Sequence, residues 1–162
     1  MKRYSVTSIF TTVVLFIVIA APHVHAQYPV DLNKKLLLDM VNETRSKGCK
    51  CGKTYYPPAP PLKWNAKLEQ AAQNHSNNMY STSFFSHVEK NGSTVRTRVT
   101  AVKYDWVICG ENIGMRYKTE RAVMQGWLNS PSHCENIMNE LFKEVGIAIK
   151  GSYWTMVLAC PR

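Results

Sequence analysis

The stretch "NSPSHCENIM", Asn129–Met138, places a histidine and a cysteine side by side just after Ser-Pro. Proline is tolerated at the first helical position, whose N–H has no partner in any case, and serine is a favoured cap, so Ser130-Pro131 reads as the start of a helical turn. His133 then falls at about the third residue of that turn, with Cys134 beside it. The positive end of a helix disfavours an imidazolium, which leaves His133 leaning toward the neutral form that ligates a metal or accepts a proton. A Ser130 hydroxyl that accepts backbone N–H bonds as the cap is a poor nucleophile.

Outward from this turn the chain alternates between two periods. Upstream, Thr119 can cap the helix "ERAVMQGWLN", which packs through Ala122, Val123, Gly126 and Trp127. Downstream, "EVGIAI" and "YWTMVLA" are strand-like and separated by the turn "KGS", the pattern of an antiparallel hairpin. Nearer the N-terminus, "DLNKKLLLDMVNETRSKG" reads as a first helix ending at Gly48. Asn65 caps a second, running to about Tyr80, whose apolar stripe of Leu68, Ala71, Ala72 and Met79 includes His75. A histidine on such a stripe is more often a hydrogen-bonded core residue than a ligand. "TVRTRVTAV" is a third, short helix, and "WVICGENI" a strand running into a turn at Gly110. The prolines of "YYPPAPPLKW" exclude helix and central strand, leaving a loop or an ordered extended connector. Helices come first and strands late, so the class is α+β.

The first 26 residues have the layout of a secretory signal peptide: Lys2 and Arg3, an apolar run over Val13–Ala21, then "VHA" before Gln27. Residues 27–162 then form one mature domain, secreted or periplasmic, with no transmembrane segment. Loss of the leader lowers the formal charge from +9 to +7. The basic residues are scattered rather than massed with aromatics, which argues against a nucleic-acid partner. All five cysteines lie in the exported part, where disulfides are allowed. Cys49 and Cys51 are too close to bridge each other without strain, and a zinc site built on thiols is disfavoured because paired C-x-x-C hooks are absent. Cys109, which enters one strand, and Cys160, which ends another, form a plausible bridge.

Several site patterns are missing: H-E-x-x-H, G-x-S-x-G, a glycine-rich phosphate loop and a dinucleotide fingerprint. "HVE" at His87 and "HCE" at His133 lack the P-C-x-x-C that a zinc deaminase needs. A dispersed set remains, with His87 in "FFSHVE", Glu111 in "CGENI" and His133 in "SPSHC".

Taken in order, "PPLKWNAKLEQAAQNHSNNM", "FFSH", "GENI", "GWLNSPSHCENIM", "EVGIAI" and "YWTMV" resemble the bacterial branch of the CAP superfamily, named for cysteine-rich secretory proteins, antigen five and pathogenesis-related proteins and also called the SCP domain. The resemblance spans roughly Leu36 to Ala159. It implies an α-β-α sandwich with a small antiparallel sheet between helices, and a cleft that gathers two histidines and two acids. The matching positions are His87, Glu111 and His133, while Ser130 stands where animal relatives carry the second acid. It also implies a bridge between Cys51 and Cys134.

Two imidazoles, His87 and His133, can hold zinc or another divalent metal, and Glu111 can complete the site or orient a ligand histidine. Three uses of the trio are open: a metal-capable cleft, a buried polar network that only locks helices to the sheet, and catalysis. The leading expectation is a secreted ligand-binding module with a His/Glu cleft, its ligand unidentified but of lipid or cell-envelope class. One alternative is a metal-assisted, peptidase-like hydrolase with Glu111 as catalytic base. Another is a basic envelope-associated protein acting through its charge.

Overall fold

The computed structural model describes Met1 and residues 31–162, so the expected leader, Met1 aside, lies outside the described residues. The chain runs α1 (Lys34–Lys47), β1 (Cys49–Cys51), β2 (Thr54–Tyr56), β3 (Lys63–Trp64), α2 (Ala66–Thr82), α3 (Val95–Ala101), β4 (Trp106–Met115), α4 (Glu120–Asn129), α5 (Pro131–Met138), β5 (Glu144–Lys150) and β6 (Tyr153–Pro161). Local chemistry accounts for the helix starts. Asn33 accepts from the N–H of Leu36, Asn65 from those of Lys67 and Leu68, and Thr119 from that of Ala122. Each bond satisfies a donor that the first turn leaves unpaired.

A four-stranded sheet, in the order β3-β5-β6-β4, sits between two helical layers. Alternation along the strands assigns side chains to faces. Trp154, Met156 and Leu158 of β6 join Val145 and Ile147 of β5 against α1, α4 and α5, whose Leu37, Val41, Trp127 and Ile137 are buried there. Val157 and Ala159, with Ala148, pack on the other face against Leu68, Ala71 and Ala72 of α2 and Val99 of α3. This is the α+β sandwich that the sequence predicts. The approach of α2 is close enough that a Cβ at Gly146 would strike the backbone at Leu68 and Glu69, so only glycine fits.

Three details differ from expectation. The strand does not turn at Gly110. Gly110 pairs with Leu158 and β4 continues to Met115, and the glycine is needed because a Cβ would come 2.9 Å from Cζ of Phe142. The connector ends in a two-residue strand, β3, that pairs in parallel with β5, so the sheet is not wholly antiparallel. A small β1-β2 hairpin also precedes the prolines.

Arg45 ties the connector to the helical layer. Its fully buried guanidinium donates to the carbonyls of Pro60, Ile137, Asn139 and Phe142. Burial pushes its pKa down to about 10. A second tie is the disulfide Cys51–Cys134, with Cα atoms 5.4 Å apart. The expected Cys109–Cys160 bridge is absent, and both residues carry free thiols. The sheet register explains this: Cys109 stands opposite Ala159, and Cys160 opposite Ile108. An offset of one residue sends the two side chains to opposite faces.

Candidate functional site

β4 is one of the two edge strands of the sheet, and the candidate residues gather beside it. Alternation sends Glu111 toward α2 and α3 and Asn112 toward α5. His87 arrives from the connector after α2, and His133 from the first turn of α5. Their rings face each other with centroids 6.4 Å apart and planes inclined by 54°. The structure thus brings His87, Glu111 and His133 together.

Glu111 is the hub. Its Oε1 lies 2.9 Å from Nδ1 of His87, and its Oε2 accepts a 2.6 Å hydrogen bond from Nη2 of Arg98. A carboxylate can only accept, so His87 Nδ1 carries the proton and Nε2 is left free when the ring is neutral. The side chains of Glu111 and Arg98 are 2% and 4% exposed, whereas that of His87 is 52% exposed. One end of the histidine is thus anchored in the interior and the other is open to solvent.

Beneath His87 the network is larger than the sequence reading gathered. His75 is buried, as its place on the apolar stripe requires, but both of its ring nitrogens face carboxylates. Nδ1 is 3.0 Å from Oε1 of Glu89, and Nε2 is 3.7 Å from Oε1 of Glu111 without a hydrogen bond. Arg98 also contacts Glu89 at 3.3 Å and donates to the carbonyls of His87 and Ser93. Two carboxylates thus share one guanidinium and the His75 ring between them. The signal was present in "TVRTRVTAV", where Arg98 shares a helical stripe with Val95, Val99 and Val102. An arginine on a buried face requires an anion or carbonyls to meet it.

On the other side, amides fix His133. Asn112 donates to its backbone carbonyl at 3.0 Å, and Asn136 donates to the carbonyl of Glu111 and to Oδ1 of Asn112. These bonds cover backbone that an edge strand would otherwise expose. The pKa of His133 is lowered, first by burial and then by the charge of His87. The neutral form expected from its position on the helix is thus favoured by burial and a neighbour. Ser130 caps α5 through its backbone, its carbonyl accepting from the N–H of Cys134, but its hydroxyl makes no capping bond.

Two imidazoles are donors of a type that a divalent metal takes. Two imidazoles on one tetrahedral zinc, with Zn–N of about 2.1 Å, place their ring centroids on the order of 5 Å apart. The rings of His87 and His133 need to approach by about 1 Å, a small adjustment for a side chain as open as His87. Glu111 occupies the place of a carboxylate that orients a ligand histidine through its other nitrogen.

A concavity of about 500 Å³ lies between the proline connector and α5, lined by Tyr56, Pro57, Pro58, Glu135, Asn136 and Met138 among others. Asn136 is common to this groove and to the network around Glu111.

Residues 38–160 match the model of the cysteine-rich secretory protein family, CAP. The chain is 31% identical over 94 residues to the membrane protein YlbC of Bacillus subtilis, a match covering 58% of this chain and 27% of that protein. It is 29% identical over 97 residues to YkwD of the same organism, covering 59% and 38%. The chain thus spans well under half the length of these curated relatives. Among solved structures, an extracellular SCP-domain protein of Bacillus anthracis superposes with a TM-score of 0.70 at 28% identity, over 78% of this chain and 39% of that one. An outer surface protein of Borrelia burgdorferi gives 0.69 at 21% identity, over 84% and 99%, a likeness of fold alone.

Proposed function

The chain belongs to the cysteine-rich secretory protein (CAP) family, and from that premise we propose that it is a ligand-binding module, working outside the cytoplasm, whose His87–His133 cleft takes a divalent metal such as zinc. The observation that carries this reading is the posture of His87: Nδ1 anchored on Glu111 at 2.9 Å and the opposite edge of the ring turned to solvent across from His133. Free Nε2 of His87 and a ring nitrogen of His133 would hold the ion. When bound, it supplies a Lewis-acidic centre with coordination positions left for an anionic or carbonyl-bearing ligand.

Binding is favoured over hydrolysis by the state of Glu111. A general base needs an available lone pair within reach of a water. Both Glu111 oxygens are committed, one to Arg98 and one to His87. That supports an anchoring role for Glu111 in place of the base role in the hydrolase alternative. The ligand is proposed to be of cell-envelope or lipid class, and its extracellular setting is consistent with the extracellular SCP-domain neighbour. Among the described residues no helix is long and apolar enough to cross a membrane. Zinc titration of the mature protein by calorimetry tests the proposal. One site is expected in the wild type and none in a His87→Ala, His133→Ala double variant that keeps its fold.

A further inference from the structure

Outside the cleft, three sulfur atoms converge. Cys49, Cys51 and Cys134 place their Sγ atoms within 4.8 Å of one another. The motif "CKC" forms strand β1, and side chains two apart on a strand share a face, so both β1 sulfurs point at α5. Cys51 is bonded to Cys134, while the free Cys49 thiol lies 3.6 Å from Sγ of Cys134. That separation is van der Waals contact between a thiol and a disulfide sulfur. β1 is flanked by Gly48 and Gly52, with φ of 75° and 61°, the left-handed conformation in which glycine is at ease.

We propose that Cys49 is the nucleophile of an internal thiol–disulfide exchange site, so that the chain holds two interchangeable bridges, Cys51–Cys134 and Cys49–Cys134. Once a turn of its side chain sets it in line behind the Cys51–Cys134 bond, the Cys49 thiolate attacks Sγ of Cys134, the Cys49–Cys134 bond forms as the Cys51–Cys134 bond breaks, and Cys51 leaves with the electron pair as a thiolate. One thiolate and one disulfide are present before and after, and no external oxidant or reductant is consumed. The reverse step is the attack of Cys51 on the new bridge.

Loop closure does not separate the two forms. The bridged residues are 83 positions apart in one and 85 in the other, and the entropy of closing a loop grows only with the logarithm of its length. What separates them is local fit on β1, where both sulfurs already face Cys134. Because Cys134 directly follows His133, the two bridges hold the cleft-bearing helix from two different points on the hairpin. The site does not depend on the metal reading of the cleft.

Disulfide mapping tests this. The oxidised mature protein, in a Cys109→Ser, Cys160→Ser background that leaves only the three cysteines Cys49, Cys51 and Cys134, is held at about pH 8.5, where an ordinary thiol is half ionised. It is then quenched in acid, alkylated and digested, and cleavage after Lys50 puts Cys49 and Cys51 on separate peptides. Alkyl label is expected on both Cys49 and Cys51, in amounts within about tenfold of each other, the range that a difference of ~1.4 kcal/mol allows. Cys51→Ser is expected to bridge Cys49 to Cys134 with no free thiol, and Cys49→Ser to retain Cys51–Cys134 alone. Label confined to Cys49 in the parent, or a labelled Cys134 in folded Cys51→Ser, would overturn the proposal.

Discussion

Oε1 of Glu111 meets Nδ1 of His87 at 2.9 Å, while Oε2 of the same carboxylate is held at 2.6 Å by Nη2 of Arg98. A buried guanidinium thereby fixes a carboxylate, and the carboxylate fixes an imidazole whose far edge is in solvent. Glu111→Gln keeps the shape but loses the charge and the strong acceptor. Loss of a carboxylate that orients a ligand histidine costs about 10- to 100-fold in metal affinity. Zinc titration of Glu111→Gln should show that drop with the stoichiometry unchanged, and an unchanged affinity would remove Glu111 from the site.

Arg98 is the keystone of the interior, since its removal takes the guanidinium from both Glu89 and Glu111. Breaking a buried pair from one side costs about 3–5 kcal/mol. Arg98→Met should lower the urea midpoint accordingly. The Arg98→Met, Glu111→Met double variant should lose less than the sum of the single changes, because Glu111 is then no longer stranded and only Glu89 has lost its guanidinium.

His133 gives the fold a pH dependence of definite sign. Burial and His87 hold its pKa below the unfolded value of about 6.5, so the unfolded chain binds the proton more tightly. The contribution of neutral His133 is fully present above pH ~6.5 and is lost as pH falls from there toward the lowered folded value. Unfolding free energies measured across this window should fall less steeply on acidification in His133→Gln than in the wild type. Parallel curves would contradict the assignment.

The disulfide and the unpaired thiols separate cleanly in stability. A bridge closing a loop with 83-residue separation contributes roughly 4 kcal/mol through the unfolded state, so Cys134→Ser should be destabilised by about that much in urea. Cys109→Ser with Cys160→Ser removes no disulfide and should stay near the wild-type midpoint.

Much of the fold was legible because its signals are local. The caps Asn65 and Thr119, the stop at Gly48 and the β5-β6 hairpin each depend on a few adjacent residues. The misread elements depend on distant partners. Gly110 looks like a turn until Phe142 is known to fill the space where its side chain would be, and β3 is a strand only because β5 lies beside it. The free thiols of Cys109 and Cys160 follow from a one-residue register offset that composition does not carry. In the cleft, His87, Glu111 and His133 were found through the motifs that hold them. Glu89 and Arg98 went unread because their significance is burial beneath those motifs.

The most direct measurement is calorimetric titration of the oxidised mature protein with zinc, beside the His87→Ala, His133→Ala variant checked for native fold by circular dichroism. The account predicts one binding site in the wild type and its loss in the double variant. Equal zinc uptake by the two folded proteins, or none by the wild type, would contradict a metal-holding cleft between His87 and His133.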